Sequence, residues 1–176
     1  LAGGLHGFVG NAVLALLIPL AGLTACYTGW LFAQAKGRPL WMRRGLWLQL
    51  VFQALIAGGG IAVLGLALLG QPVSRGVLVL FELGLMGHLA FQLAGGFLSP
   101  AGREREYRAA HRLMEHGPYA LRYWLVAFVA GVVLPSAFLW LVTAPVLLAG
   151  LGLLALIGLA VEEALLVRAG QALPIG

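Results

Sequence analysis

Five long apolar segments dominate this sequence of 176 residues, and their length constrains what the chain can fold into. They run over residues 8–32, 46–69, 76–98, 119–141 and 145–167. About twenty apolar residues in a helix cross the hydrocarbon core of a bilayer, where a helix satisfies its own backbone groups. These runs are too long for the strands of a membrane barrel. The sequence therefore predicts an all-α integral membrane protein, a single up-down bundle of five transmembrane helices over residues 1–176.

The composition agrees with a membrane protein and excludes several other classes. Hydrophobic residues make up 61% of the chain, charged residues only 10%, and the mean hydropathy is +0.98. A soluble domain is about one quarter charged. We attribute the net charge of +5 to basic residues at one membrane face and expect no nucleic-acid partner. A single cysteine leaves no internal disulfide and no thiolate cluster for iron–sulphur or structural zinc.

Positive charges are concentrated in alternate connectors between the apolar segments. The second and fourth connectors carry only Arg75. The basic residues are Lys36, Arg38, Arg43 and Arg44 in the first connector, Arg103, Arg105, Arg108, Arg112 and Arg122 in and after the third, and Arg168 beyond the fifth segment. Basic connectors are retained in the cytoplasm. We therefore expect a multi-pass protein of the cell inner (cytoplasmic) membrane, with its C-terminus cytoplasmic and the N-terminal end of this piece outside.

The third connector, residues 101–118, is predicted to form a short amphipathic helix. Glu104 and Arg108 are four residues apart and can pair on its surface. The connector is either simply solvated or a docking surface for a soluble partner or anionic lipid. His111 and His116 are five residues apart, which is poor spacing for a metal pair on one helical face, so we expect both to be solvated.

The third apolar segment carries polar residues that lipid does not tolerate unpaired. At about 100° per residue, Gly84, His88 and Gln92 share one stripe, which should face the bundle. Glu82 lies about 120° from His88, so it should meet a different neighbouring helix or the rim of the same slot. Two interpretations stay open for Glu82 and His88: proton transfer, including a quinone-site carboxylate at Glu82, or a structural hydrogen bond between helices.

The fifth segment contains two adjacent carboxylates near its basic end. Glu162 and Glu163 lie about 9 and 7.5 Å from Arg168 along a helix axis. Adjacent side chains do not share a face, so we expect one to enter the bundle and the other to reach the interface. The pair is a candidate for the inner end of a proton path, with an interfacial role as the alternative.

The first segment offers hydrogen-bond donors suited to a quinone head group. His6 and Asn11 lie near its outer end and Tyr27 near its inner end. A quinone needs donors to two carbonyl groups inside an apolar slot, and these residue types supply them. An anchor in the aromatic belt is the alternative role for Tyr27. In the second segment, Ala54, Gly58 and Ala62 recur every four residues and predict a stripe of close helix packing.

Three short stretches resemble the membrane subunits of the polysulphide reductase (NrfD) family. They read "ACYTGWLFAQAKGRPLW" at residues 25–41, "PSAFLW" at 135–140 and "EEALLVRAGQALPIG" at 162–176. Members have eight membrane helices, of which this sequence would supply the last five, and about three would precede Leu1. The resemblance implies a quinone site near the outer face, built largely by the first four helices of the family, of which only the first segment is present here.

The same resemblance implies a haem-free quinone or quinol subunit of a respiratory oxidoreductase. It would exchange electrons between menaquinone or ubiquinone and a ferredoxin-like iron–sulphur subunit. That partner would lead to a molybdopterin catalytic subunit or to a multihaem cytochrome subunit. Only His88 is deep in the membrane, so a bis-histidine haem is not expected, nor a metal in this chain. The alternatives are a secondary transporter or ion channel with a polar pathway along segment three, and a purely structural anchor.

Overall fold

The computed structural model describes the backbone of residues 2–172 and the side chains of residues 10–13 and 15–172. Over this part the protein is an all-α membrane bundle without strands, as the sequence predicts. Its helices are α1 (Ala2–Ala33), α2 (Leu46–Leu68), α3 (Arg75–Ala94), α4 (Glu104–Glu115), a π-helix (Arg122–Val133), α5 (Leu134–Phe138) and α6 (Pro145–Ala172). Short 3₁₀ turns lie at Pro39–Met42 and Gly95–Phe97.

Four helices in the described part, α1, α2, α3 and α6, are long and apolar enough to cross a membrane. The fourth predicted segment forms a shorter apolar helix, Arg122–Phe138, in which the π-helix continues directly into α5. At the junction the Leu134 N–H donates to the Val129 carbonyl five residues earlier, which is the π-helical bond. All five predicted apolar segments are therefore helical.

Helix α2 is the centre of the bundle, because it packs against α1, α3 and α6. Helix α6 in turn packs against the π-helix and α4. Buried apolar side chains form two clusters. One contains Ile56, Val63, Phe81, Leu85, Val132, Leu139, Leu148 and Ala155. The other joins α4 to α6 and the π-helix through Leu40, Tyr107, Ala110, Met114, Tyr123, Ala127, Leu165, Leu166 and Ala169. In contrast, α1 is largely exposed and packs chiefly against α2.

The second cluster marks what we call the basic end of the bundle. It is the end that carries Lys36, Arg43, Arg44, α4 and Arg168. The basic connectors meet there: the Arg44 N–H donates to the Leu98 carbonyl at 2.9 Å, and Arg103 Nη1 donates to the Lys36 carbonyl at 2.5 Å. The connectors predicted to share one face are thus held together by direct hydrogen bonds.

The close contacts of α2 differ from those predicted. The stripe of Ala54, Gly58 and Ala62 is not a packing stripe: Ala54 and Gly58 are exposed, and a Cβ on Gly58 would meet no atom within 4 Å. The close approach to α6 is two positions further along the helix, at Gly60. A Cβ on Gly60 would lie 3.3 Å from the Gly152 carbonyl oxygen of α6. Small residues do allow close packing along α2, but the rotation of the helix turns Gly60, and not Gly58, toward α6.

The third connector forms the predicted amphipathic helix, but not every residue in it is placed as expected. His116 is exposed, whereas His111 is buried and stacked on Tyr107, with ring centroids 5.6 Å apart. The prediction of a solvated His111 is therefore wrong. Positions 107, 110, 111 and 114 form one helical face, and that face docks on the bundle. Burial lowers the pKa of His111, against the opposing effect of Glu115 3.2 Å from its Nδ1 atom.

The charged surface of α4 also pairs differently from the prediction. Arg108 Nε donates to the Glu104 backbone carbonyl at 3.3 Å, while the Glu104 carboxylate accepts the Gly102 N–H at 2.9 Å. Backbone N–H groups at the start of α4 lower the pKa of Glu104. The ion pair on this surface joins Arg103 and Glu106 instead. The Glu104 carboxylate thus binds the backbone of the turn before α4 and forms no ion pair with Arg108.

Candidate functional site

A buried carboxylate on α6 forms the centre of the candidate site. Glu162 is 3% exposed, and its Oε2 atom lies 2.7 Å from His88 Nε2 on α3. The Gln92 amide donates to the same oxygen at 2.5 Å, and the Gln49 amide of α2 donates to Oε1 at 3.5 Å. Three helices therefore direct polar side chains at one carboxylate. We call these four residues the Glu162 network.

The local structure explains how these side chains reach each other. His88 and Gln92 are four residues apart on α3, so they project from one face, and Gly84 lies one turn before them. A Cβ on Gly84 would lie 2.9 Å from the Ile56 nitrogen, so this glycine lets α2 and α3 approach closely. The predicted stripe of Gly84, His88 and Gln92 is buried, as expected.

The second carboxylate of α6 has its own partner. Glu163 is half-buried, and its Oε1 atom accepts a hydrogen bond from the Gln53 amide of α2 at 2.5 Å. It also lines a small cavity of about 10 Å³ with Phe32, Trp41, Leu46, Leu50, Leu166 and Val167. Of the two adjacent carboxylates, Glu162 enters the bundle as predicted. Glu163 is held against α2 by the Gln53 amide.

Glu82 belongs to a different contact, as its angle from His88 indicated. Its Oε1 atom accepts a hydrogen bond from the Ser136 hydroxyl of α5 at 2.5 Å, and its buried Oε2 atom has no partner within the described protein. Six residues separate Glu82 from His88, which is about 9 Å along α3. Leu85 of α3 is fully buried at a level between them. Glu82 is therefore separate from the Glu162 network.

The residues predicted to bind quinone are not assembled in the described part of the chain. The His6 side chain lies outside the described residues. Asn11 is exposed and Tyr27 is 62% exposed, both on the sparsely packed α1. Sixteen residues separate Asn11 from Tyr27, which is about 24 Å along the helix axis. Asn11 and Tyr27 therefore cannot bind one head group together, and neither contacts the Glu162 network directly.

Three polar residues at this site were not singled out from the sequence. Gln49 and Gln53 bind the two carboxylates of α6, and Arg43 was counted only among the connector charges. The signal in the sequence for the two glutamines was their spacing of four residues in an otherwise apolar helix. His88 and Gln92 show the same spacing on α3. Arg43 is only 7% exposed, which its place in a connector did not indicate.

The geometry of the Glu162 network suits the exchange of a proton. Imidazole gains and loses a proton near neutral pH, and its two nitrogens can pass one from side to side. Nε2 of His88 faces the carboxylate, while Nδ1 is buried without a partner in the described protein. Among the described residues, no group of three or more histidine, cysteine or acidic side chains is arranged to hold a metal ion. The network therefore contains the residue types that proton exchange would require.

No family model, no curated protein and no solved structure matches this sequence. The resemblance of its short motifs to the polysulphide reductase membrane subunits therefore stays a prediction.

Proposed function

We propose that this chain is a haem-free quinone- or quinol-binding membrane subunit of a respiratory oxidoreductase, in which the Glu162 network exchanges protons. Menaquinone or ubiquinone is the proposed substrate, and a ferredoxin-like iron–sulphur subunit the proposed electron partner. That partner would serve a molybdopterin or multihaem cytochrome subunit. The observation that carries the proton role is the His88–Glu162 contact of 2.7 Å, buried between membrane helices.

The cost of keeping such a group in a membrane supports a role beyond packing. A carboxylate removed from water is costly unless it is paired and hydrogen-bonded, so such groups commonly mark proton or ion pathways. The Gln92 and Gln49 amides fix the carboxylate of Glu162 without carrying a proton themselves. His88 and Glu162 are then the groups of this network that can take up and release a proton.

Quinone chemistry explains why a proton carrier would be needed here. Oxidation of a quinol to a quinone releases two electrons and two protons, so electrons sent to an iron–sulphur partner leave protons behind. His6 and Asn11 lie five residues apart, about 7.5 Å along α1, and remain the proposed quinone-site residues. Tyr27 does not fit one head group together with Asn11, so we derive no quinone step through this residue set.

Turnover of the purified complex tests the proposal. We expect Glu162→Gln to lower quinol-dependent turnover about 100-fold if proton exchange through this carboxylate is required. Glu106→Gln on the exposed surface of α4 is the matched control and should retain the wild-type rate. Full turnover by Glu162→Gln would remove the network from the mechanism, and failure of the wild-type complex to react with any quinol would remove the function.

The alternative of an ion-conducting protein has one observation in its favour. Helix α3 carries polar side chains at two levels, with Glu82 bonded to Ser136 and His88 bonded to Glu162. A conducting protein would carry protons across vesicles under a membrane potential in the absence of quinone. Proton flux that needs no quinol and is abolished by Glu82→Gln would favour this alternative.

A further inference from the structure

Arg43 is a buried cation whose hydrogen bonds are incomplete. Its side chain is 7% exposed, and its Nε and Nη2 atoms have no partner in the described protein. A guanidinium is always charged and presents five N–H donors in a fixed plane. Buried donors are nearly always hydrogen-bonded, to protein or to water. The unpaired nitrogens of Arg43 therefore indicate a polar occupant at the basic end.

Polar groups lie at intervals between Arg43 and the Glu162 network. Arg43 lies beside the Tyr107 hydroxyl, which donates to the Gly95 carbonyl at 2.6 Å. Gly95 follows Gln92 by three residues, about 4.5 Å along the helix. Gln92 donates to Glu162 at 2.5 Å. Arg43 thus stands at the basic end of a polar route that leads to the buried carboxylate.

The amides of the network leave acceptors that match these donors. Gln49 and Gln92 donate their NH₂ groups to Glu162, and the oxygen of each amide is buried without a partner. Water satisfies donors and acceptors together, and a buried water makes about three hydrogen bonds to otherwise unpaired groups.

The charge of Arg43 reaches the titratable groups around this route. Its guanidinium is close enough to act electrostatically on Tyr107, His111, Tyr123, Glu162 and Glu163. These groups come from α4, the π-helix and α6, which enclose the basic end. A fixed positive charge so placed orients water dipoles without itself releasing a proton.

We propose that Arg43 lines a hydrated inlet, through which Glu162 exchanges protons with the aqueous phase at the basic end. The ligand of this site is water, held between the Arg43 nitrogens and the amide oxygens of Gln49 and Gln92. Arg43 acts as a positioning residue, because it holds the water and does not carry the proton. The role in proton exchange rests on the proposed function, whereas the inlet itself is tested without turnover.

Accessibility of cysteines to a small cationic methanethiosulphonate tests the inlet in vesicles of known orientation. In a Cys26→Ser background, Gln92→Cys should react from the basic end at a rate on the order of tenfold above Leu93→Cys, because the thiolate forms only in contact with water. Leu93 is the matched control, since it adjoins Gln92 but is 64% exposed on the outer side of α3. Gln49→Cys, on α2, is a second probe of the same inlet.

Three outcomes would overturn the inlet. The first is protection of both cysteines from reagent added at the basic end, while Arg105→Cys on the exposed face of α4 reacts. The second is faster reaction from the opposite side of the membrane. The third needs no variant: a water-resolving density map of the intact complex in which Arg43 Nε and Nη2 bind only protein groups. Labelling of Gln92→Cys together with full turnover of Glu162→Gln would keep the inlet and remove the proposed role of the Glu162 network in proton exchange.

Kinetics of conservative variants separate positioning by Arg43 from a merely structural role. Arg43→Lys keeps a positive charge and a donor, whereas Arg43→Gln removes the charge. We expect Arg43→Gln to lower kcat for quinol about tenfold with KM unchanged and to shift the pH profile of kcat, and Arg43→Lys to recover most of the rate. An equal loss of kcat in both variants, without a change in the pH profile of kcat, would contradict the positioning role of Arg43.

Discussion

Nε2 of His88 lies 2.7 Å from Oε2 of Glu162, and this contact joins α3 to α6 in the buried interior of the bundle. The two residues are 74 positions apart in the sequence. Both side chains are almost fully buried, so the pair fixes the relative register of two membrane helices. The contact can contribute to stability and, under the proposed function, to proton exchange, and experiment can separate the two contributions.

We expect His88→Ala to destabilise the protein by about 3 kcal/mol, because it leaves the Glu162 carboxylate buried without its main partner. The free energy of unfolding would be measured in detergent or bicelles. In His88→Ala/Glu162→Gln, part of this loss should be recovered, since a neutral amide is less costly to bury. His116→Ala is the control, with a side chain 77% exposed at the end of α4. Strictly additive single and double variants would show that the pair does not couple.

The length of the apolar segments made the helices predictable, but not the partners of their polar residues. The stripe of Gly84, His88 and Gln92 follows from helical geometry within α3 alone. Its partner, Glu162, comes from a helix distant in sequence, and no periodicity relates the two positions. In lipid, a bundle-facing and a lipid-facing surface are both apolar, so hydropathy does not fix the rotation of a helix. The choice of Gly60 rather than Gly58 for close packing depends on that rotation.

Residues in the connectors were harder to place for a different reason. A connector rich in arginine indicates a solvated segment, and Arg43 and His111 both lie in connectors of this kind. In the structure α4 folds back on the bundle, and its Tyr107 binds the Gly95 carbonyl. This docking buries the neighbouring His111 and Arg43. The amphipathic pattern of α4 indicated that one face of this helix docks on the bundle, because an apolar face requires a surface to cover it.

Gly158→Ala should destabilise the protein by about 1–3 kcal/mol through overpacking. A Cβ at this position would lie 2.2 Å from the Gly131 Cα atom of the π-helix, so the two backbones would have to move apart. Gly150→Ala is the matched control on the same helix, since a Cβ there meets no atom within 4 Å. We expect that control to be neutral or slightly stabilising. Thermal unfolding of the two variants in parallel would check the prediction, and equal melting temperatures would contradict it.

His111 should make stability depend on pH in the weakly acidic range. Burial lowers its pKa in the folded state below the ordinary value of 6.5. The unfolded chain then binds the proton more readily, so stability falls as the pH drops through 6.5 and below. We expect His111→Gln to remove this part of the pH dependence, which is measured as the melting temperature between neutral and weakly acidic pH.

His116→Gln is the control for this dependence, because that imidazole is exposed at the end of α4. Glu115 lies near both imidazoles and opposes the effect of burial on His111, so Glu115→Gln should increase the loss of stability in acid. Identical pH profiles for the wild type and His111→Gln would show that the stacked histidine does not contribute.

Glu82 and Ser136 should be coupled energetically with each other and not with His88. The Ser136 hydroxyl donates to Glu82 at 2.5 Å, whereas Glu82 and His88 are about 9 Å apart along α3 and bind different helices. A cycle of Glu82→Gln and Ser136→Ala should give a coupling energy of about 1 kcal/mol, since the residues share a hydrogen bond. The cycle of Glu82→Gln and His88→Ala should be additive within about 0.5 kcal/mol. Coupling of the same size in the second cycle would mean that the two polar sites of α3 form one connected network. A proton could then pass along this helix from one site to the other.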